Sequence, residues 1–511
     1  MTGSLISLLV AVPLLAAGAL TMVSRYTRLT IVVLMSVLVA ATAGGVVLVI
    51  GAVDGTVVAH SVALWPAGIA IPFVVDMFTA LMLTVTALLT TVCCVFAIFT
   101  GHAARRFFPT LVLVLTAGVS GALMTADLFN MFVFIEVMLL SAYGLLVMSA
   151  PGKADLERIK GARLYVTVNL LASTVFLAGV GFMYGVAGTV NIAELAGLAS
   201  EDTRVAIAGA VCLFALSIKA CVVPVHGWLV RTYPVTSPVV TAIFSALHTK
   251  VAIYAIYRIY AVIFEGDARF LWVGLLLFSA TMIVGVLGAV GETTMRSILA
   301  FHMVSQIGYI LLGVALFGPL GLAAGIFYQL HHMIVKASLF LSTGAIEVRY
   351  GTGTLGKVKG IAKREPLIAV AFFAAALSLA GVPPFSGFVA KLALIMAAID
   401  AGQVAVVIAA IAVSLITLLS MLKIWSEVFW GKQQPGEEAV AATQGPIKVT
   451  SGTVAVAEKR RIGAGMIAPS LFLAALTLAL GVGAHGLLSL TQIAAAGLVD
   501  TAPYIQAVLG S

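Results

Sequence analysis

Two stretches, ALSIKACVVPVHGW at residues 215–228 and ALSLAGVPPFSGFVAK at residues 376–391, decide the fold. Each belongs to a long apolar run, and each combines proline in mid-run with one lysine, Lys219 in the first and Lys391 in the second. Proline interrupts a helix because it removes a backbone donor and clashes with the preceding turn. In lipid, such a break is tolerated only where protein or water satisfies the freed backbone groups. The two stretches therefore predict broken transmembrane helices, each with a buried charge close to its break.

The composition agrees with a membrane protein. The chain has 511 residues, of which 62% are apolar and 9% charged, and its mean hydropathy is +1.17. Soluble domains contain about 45–50% apolar and about 25% charged residues, so a soluble or disordered chain is excluded. The cysteines lie in apolar runs without a CxxC pair and are predicted to be buried, with no disulfide, metal or cofactor: Cys93, Cys94, Cys212 and Cys221.

The chain divides into apolar segments of about 20 residues, the length that a helix needs to cross a bilayer. Fourteen are predicted: 4–23, 29–51, 76–100, 107–126, 128–149, 163–187, 205–230, 237–262, 270–290, 297–317, 319–347, 366–400, 402–430 and 464–488. The first is interpreted as a retained helix, because no basic residue precedes it and no cleavage signal follows. Between the segments, 52–75 is predicted to form an extracytoplasmic hairpin and 431–463 a polar loop. The fold class is an all-α polytopic membrane protein.

The two broken segments, spans seven and twelve, occupy corresponding places in two sets of five spans. Each is the fourth span of its set, and five is odd, so the sets (spans 4–8 and 9–13) would run in opposite directions. Broken helices in corresponding places of an inverted repeat indicate ion sites. We divide the chain into N-terminal spans, two five-helix units, and a loop with the last span: 1–106, 107–262, 270–430 and 431–511.

The basic residues are distributed unequally between the two sides of this map. Of 28 lysines and arginines, three lie on one side, at Arg204, Arg258 and Arg269. Twenty lie on the other: Arg25, Arg28, Arg105, Arg106, Lys153, Arg158, Lys160, Arg163, Arg231, Arg296, Arg349, Lys357, Lys359, Lys363, Arg364, Lys432, Lys448, Lys459, Arg460 and Arg461. The positive-inside rule then places both termini outside the cytoplasm of a bacterial cell.

Five lysines remain within the spans. Lys423 is near the inner end of its span and is expected to reach the headgroups. A charge at mid-membrane costs about 2.5–3.5 kcal/mol on insertion scales, and the only comparably deep carboxylate is Glu136. One glutamate cannot neutralise four lysines, so we interpret these residues as a proton relay: Glu136, Lys219, Lys250, Lys336 and Lys391.

Histidines and prolines extend this candidate site. His332 lies one helical turn before Lys336 and is the first candidate, followed by His226 and His248, with His331 also in span eleven. The supporting prolines of the two breaks are Pro224, Pro383 and Pro384, and the histidines interpreted as structural are His60, His102, His302 and His485.

Three motifs of the chain resemble a known family. They are IEVMLLSAYGL at 135–145, LSIKACVVPVHGWLVRTYPVTSPVVTAIFSALHTKVAIYAIYRIY at 216–260 and LSLAGVPPFSGFVAK at 377–391. They resemble the antiporter-type subunits of respiratory complex I, membrane-bound hydrogenases and Mrp-type multisubunit sodium/proton antiporters, over roughly residues 76–430. The resemblance implies proton-relay roles for six residues: Glu136, Lys219, Lys250, His332, Lys336 and Lys391.

Among these complexes the chain is most similar to the Mrp type. Complex I subunits of this length often carry glutamate where Lys391 stands. The resemblance implies partner membrane subunits and exchange of sodium for protons. The alternative is a proton-pumping membrane subunit of a complex I-like oxidoreductase or hydrogenase. This chain has no cluster-binding cysteines and no Gly-rich nucleotide loop, so in that case a partner would carry the redox chemistry. A transporter of an organic solute or a structural scaffold would not need a row of buried lysines.

Overall fold

The computed structural model describes residues 3–61, 70–148, 156–431 and 461–510, which are almost entirely helical. The α-helices are α1 (Leu8–Met22), α2 (Thr27–Gly51), α3 (Met77–Phe99), α4 (Phe108–Met124), α5 (Leu128–Met148), α6 (Leu156–Ala187), α7 (Leu198–Glu201), α8 (Thr203–Ala220), α9 (Gly227–Thr232), α10 (Pro238–Val262), α11 (Ala268–Gly291), α12 (Met295–Ala315), α13 (Pro319–Tyr350), α14 (Ile361–Arg364), α15 (Pro366–Ala380), α16 (Ser386–Asp400), α17 (Val404–Ile424), α18 (Ala464–Val482), α19 (Ala484–Val499) and α20 (Ala502–Leu509). Strands β1 (Val58–Ser61) and β2 (Pro72–Val75) form one antiparallel sheet.

Membrane-crossing helices dominate this architecture. Within the described residues, eleven helical segments are long and apolar enough to span a bilayer, and three apolar helices are shorter. The shorter helices are Phe108–Met124, Pro366–Ala380 and Ala484–Val499. The prediction of an all-α polytopic membrane protein is therefore confirmed.

Both predicted helix breaks are present. Span seven is interrupted between the end of α8 and the start of α9, and Pro224 lies in the linker. Span twelve is interrupted between α15 and α16, with Pro383 and Pro384 in the linker. The linkers leave backbone groups free in the middle of otherwise helical runs, as the prolines predict.

The predicted end of the last span, at residue 488, is wrong. Helix α18 stops at Val482, and a second apolar helix, α19, continues to Val499. Beside the stop, Gly481 packs on the backbone of the span-twelve linker, where an added Cβ would collide with Pro384 O. Hydropathy alone does not reveal this close approach, because glycine interrupts the apolar run without adding polarity.

A hairpin lies between α2 and α3, as predicted for segment 52–75. Val58 pairs with Val75 and Ser61 with Pro72, and α20 packs on both strands. Residues 62–69 are outside the described ranges. So is most of the predicted polar loop, 432–460, together with five of the residues counted for orientation: Lys153, Lys432, Lys448, Lys459 and Arg460.

The centre of the protein is α13, which packs against α3, α10, α12, α15, α16, α18 and α19. Residues of α10 and α12 are buried around nearly the whole circumference of these helices, as are most of those of α13. In contrast, α1, α2, α6, α11 and α17 bury only one face. The predicted lysines therefore meet around helices that no lipid can reach.

Candidate functional site: a buried row of lysines and histidines

Glu136 and Lys219 are connected through one serine. Lys219 lies in the last turn of α8, and its Nζ donates to Ser173 Oγ (2.7 Å) and to Asn169 O (3.3 Å) of α6. Ser173 Oγ in turn donates to Glu136 Oε1 of α5. Lys219 is 5% exposed, whereas Glu136 is only half-buried. A single hydroxyl therefore links the acid and the base, and it can accept from one while it donates to the other.

The break of span seven is held by side chains from two helices. Val223 N donates to Thr281 Oγ1 of α11 at 3.0 Å, and Trp228 Nε1 donates to Ile218 O at 3.0 Å. These bonds satisfy backbone groups that the break leaves without helical partners. Pro224 itself is exposed. The break thus fixes the end of α8, and with it the position of Lys219.

His248 of α10 lies between two of the lysines. Its Nδ1 is 2.7 Å from Tyr165 OH, and it interacts electrostatically with both Lys219 and Lys250. Within the described residues, His248 Nε2 is buried without a hydrogen-bond partner. A small cavity with room for about one water molecule separates His248 from Lys219 and Trp228. An imidazole and a water can therefore join the two lysines.

Lys250 is fully buried in the middle of α10. Its Nζ donates to Ser245 O (2.7 Å) and to Thr249 Oγ1 (3.0 Å) of its own helix. These neutral acceptors stabilise an ammonium group without adding a countercharge. Lys250 also lies close enough to Lys336 of α13 for the two to interact electrostatically.

Helix α13 contributes the next two groups. Lys336 is fully buried, and its Nζ donates to Leu299 O of α12 at 2.9 Å. One turn earlier, His332 interacts with both Lys250 and Lys336. In the part of the chain that the structure describes, neither ring nitrogen of His332 has a hydrogen-bond partner. An imidazole between two lysines with both nitrogens free can exchange protons with either side.

Lys391 reaches back across the break of span twelve. Its Nζ donates to Ala380 O (2.9 Å), the last residue of α15, and to Ser414 Oγ (2.8 Å) of α17. It also lies 5.2 Å from the centre of the Tyr309 ring. Gly381 has a φ of +87°, and a Cβ there would lie 2.6 Å from Lys391 Cδ. Glycine thus lets the lysine approach the carbonyl end of α15, where the helix dipole favours a cation.

His302 of α12 lies in the row, although the sequence alone predicted a structural role for it. Its Nε2 is 2.9 Å from Ser420 Oγ, and it interacts electrostatically with both Lys336 and Lys391. It is fully buried. A polar stripe at helical spacing in span ten could have revealed it: His302, Ser305, Gln306 and Tyr309.

The other histidines are placed differently. His331 Nδ1 is 2.8 Å from Ser386 Oγ at the start of α16. His226 is half-buried, and within the described ranges it forms no hydrogen bond to any lysine, so the structure does not bring it into the row. Outside the spans, burial and then the charge of Arg105 lower the pKa of His102 to about 4, so this histidine is neutral.

Lys423 and Arg258 are two cations of the predicted spans that lie outside the row. Lys423 donates to Val290 O (2.9 Å) and Glu292 O (2.8 Å) at the end of α11, as expected for a lysine near a span end. Arg258, which we counted on the less basic side of the membrane, lies buried in α10, where Asp76 pairs with it at 2.7 Å. The pairing lets arginine occupy a helix interior, and hydropathy does not detect it.

Together these groups form one buried row, in spatial order Glu136, Lys219, His248, Lys250, His332, Lys336, His302 and Lys391. Within the described residues, no carboxylate lies at ion-pair distance from any of its four lysines. Four simultaneous buried positive charges, with Glu136 as the one nearby carboxylate among the described residues of the row, would be very costly. The row therefore favours states in which protons are shared among its members.

The four cysteines are buried and free, as predicted. The described residues contain no group of three or more metal-ligating side chains.

Comparison with known proteins identifies the class. A family profile described as NADH:quinone oxidoreductase/Mrp antiporter, TM matches residues 125–417. The chain belongs to this family, which confirms the resemblance of the three motifs. A Na(+)/H(+) antiporter subunit of Alkalihalophilus pseudofirmus is 37% identical over 451 residues, covering 87% of each chain.

Solved structures agree with this assignment. The Mrp complex from Dietzia sp. DQ12-45-1b contains a chain with 59% identity and a TM-score of 0.95, with 100% of both chains covered. An archaeal membrane-bound sulfane sulfur reductase contains one with 26% identity and a TM-score of 0.87, covering 99% of this chain and 100% of that one. The fold is therefore shared between an antiporter complex and a respiratory complex.

Proposed function

We propose that this chain is the proton-translocating subunit of a multisubunit Na+/H+ antiporter of the Mrp type in a bacterial cell membrane. The observation that carries the proposal is the buried row, in which four lysines with no described carboxylate at ion-pair distance are joined by histidines. The sequence identity with antiporter relatives supports Na+ and H+ as the exchanged ions and supports the presence of partner subunits. The chain acts as a transporter subunit rather than an enzyme.

Protons move along the row by transfer between neighbouring groups. Glu136 exchanges a proton with Lys219 through Ser173, because that hydroxyl accepts from the lysine and donates to the carboxylate. A charge on Lys219 disfavours a charge on its neighbours, and His248 with water carries the proton to Lys250. His332 and Lys336 continue the route to His302 and Lys391.

The proposal includes a finer topology. Fourteen spans would contain two inverted five-helix units, with both termini extracytoplasmic. The break in the fourth span of each set supports the repeat, and the odd number of spans in each unit gives the two units opposite directions. A C-terminal alkaline phosphatase fusion should be active and a C-terminal green fluorescent protein fusion dark. The reverse result would contradict the orientation.

The test of function uses the complete complex in inverted membrane vesicles. Sodium added to vesicles with an acidic lumen should collapse the pH gradient, and Lys219→Met or Lys250→Met should abolish this response. Lys423→Met is the matched control, because Lys423 bonds to carbonyls at a span end and lies outside the row. Normal exchange in the row variants, with the complex assembled, would overturn the proposal.

A pumping subunit of a respiratory complex remains the second candidate, favoured by the likeness to the sulfane sulfur reductase. The two functions differ in what drives the protons. An antiporter exchanges ions in vesicles without any electron donor, whereas a respiratory pump requires one. Exchange that depends on an added electron donor would favour the second candidate.

A further inference from the structure

A second set of polar groups lies on α10, on the side of the hairpin. Lys250, Tyr254 and Arg258 are four residues apart and therefore share one helix face. Arg258 Nη2 lies 2.7 Å from Asp76 Oδ2 and donates to Tyr254 OH at 3.1 Å. The side chains of this ion pair are 2% and 7% exposed. Polar groups thus continue from the buried row to the beginning of α3.

Thr79 completes a series of hydrogen-bonded side chains. Thr79 Oγ1 donates to Asp76 Oδ1 at 2.8 Å and lies 2.7 Å from Tyr254 OH. Each hydroxyl can accept one proton while it donates another. Tyr254, Thr79 and Asp76 are therefore connected in the way that proton transfer requires.

Gln329 of α13 lies beside these groups and bonds to the backbone oxygen of Lys250. Its Nε2 donates to Lys250 O (3.2 Å) and to Met82 Sδ (3.3 Å), one turn from Thr79. Within the residues that the structure describes, Gln329 Oε1 and Arg258 Nη1 are both buried without a partner. Buried polar atoms of this kind are normally satisfied by water, so they indicate two water positions along the face.

This series of hydrogen-bonded side chains ends at a cavity of about 470 Å³ near the hairpin. Three carboxylates line this cavity, those of Asp54, Asp76 and Asp500. Tyr504 of α20 also lines it, and its ring lies 4.7 Å from the guanidinium of Arg258. The aromatic ring therefore covers the Arg258 side of the ion pair, whereas Asp76 itself lines the cavity.

We propose that protons pass between Lys250 and the outer face along Tyr254, Thr79 and Asp76, with the Asp76–Arg258 pair as the outer gate of this pathway. The inference rests on the function proposed above. Asp76 takes a proton from water in the cavity, and its ion pair with Arg258 weakens. Thr79 and Tyr254 each accept one proton and release another, and water beside Gln329 carries the last one to the Lys250 amine, which lies farther along the helix at Ser245 O. Arg258 keeps its own proton throughout.

The test removes a single hydroxyl. Tyr254→Phe keeps the ring but interrupts the series of hydrogen-bonded side chains. We expect sodium-driven proton exchange to slow on the order of a hundredfold, which is the low end for loss of a positioned proton-transfer group. Tyr257→Phe is the matched control, because Tyr257 is also buried on α10 and packs on Phe78, but its OH donates to Ile310 O, away from the pathway. It should exchange at close to the wild-type rate.

A second measurement uses the cavity. Asp500→Cys should react with a membrane-impermeant thiol reagent added from the outer side, and the bulky adduct should block exchange. Ser200→Cys, at an exposed position on the same side, should react without loss of exchange. Labelled Asp500→Cys that transports normally, or equal rates in the two tyrosine variants, would overturn the pathway. Full exchange in Lys250→Met would instead overturn the relay itself.

Discussion

Both broken helices combine a proline-containing break with a buried lysine, but the two lysines have different hydrogen-bond partners. In the first, Lys219 precedes the break and reaches a carboxylate through Ser173. In the second, Lys391 follows the break and bonds to Ala380 O and Ser414 Oγ, both neutral. A proton on Lys219 is therefore balanced by a nearby acid, whereas a proton on Lys391 is held by dipoles alone. The end of the row at Lys219 is suited to exchanging protons with an acid, and the end at Lys391 is suited to releasing them.

The largest expected effect comes from removing an amine from the second unit. Lys391→Met and Lys336→Met keep the apolar stem, and we expect each to slow sodium-driven proton exchange by on the order of a hundredfold or more. The measurement is fluorescence quenching in inverted vesicles, with complex assembly checked by native electrophoresis. Wild-type exchange in Lys336→Met, beside an inactive Lys391→Met, would show that water or His332 alone bridges the two units.

A smaller effect should separate the two ends of the row. Ser173→Ala disconnects Lys219 from Glu136, and we expect exchange to fall about tenfold, equivalent to about 1.4 kcal/mol. Ser414→Ala leaves Lys391 its bond to Ala380 O, so its rate should fall by less. Exchange rates of both variants in the same vesicle assay test this. Equal losses would mean that the carboxylate gives the first end no special role.

The two breaks should also differ in what stabilises them. Gly481→Ala forces a Cβ against the backbone of the second break, at Pro384 O, and should destabilise the protein by about 1–3 kcal/mol. Gly486→Ala is the control, because nothing lies within 4 Å of its added Cβ. Thermal unfolding of the detergent-solubilised complex measures the difference, and identical melting temperatures would contradict the close approach.

The smallest expected effect concerns the first break. Thr281→Val preserves the shape of the side chain but removes the acceptor of the Val223 amide. We expect about 1 kcal/mol of destabilisation, the scale of one lost hydrogen bond. The same unfolding assay applies, with exchange rates as a second readout. An unchanged melting temperature would show that water replaces the hydroxyl.

Much of the architecture could be predicted because hydropathy and proline act locally. The apolar segments, both breaks and the four deep lysines follow from residue type and spacing in a lipid environment. The extent of the last helical segment could not be predicted in this way. Helix α18 ends beside Gly481, which packs against a linker almost 100 residues earlier in the chain.

The site was predicted less completely than the fold. His302 is one histidine in an apolar span, a pattern that fits a structural residue equally well until its neighbours are known. The burial and pairing of Arg258 were not predicted, because its partner Asp76 lies far away in the sequence. His226 stands in a conspicuous motif and lies apart from the row. Which polar groups converge is decided by tertiary packing, and spacing along one helix does not contain that information.

The burial of α13 restricts how this protein can move. Gly325 packs against Gly313 and Gly321 against Leu316 O, so the helix touches its neighbours at backbone distance. Because α13 is close-packed against seven helices, sliding or tilting it would disrupt its contacts with all of them. Conformational change is then confined to rotamers and to the filling and emptying of small hydrated spaces. We therefore expect the filling and emptying of hydrated spaces around α13, rather than the rocking of one helix bundle against another, to accompany proton movement.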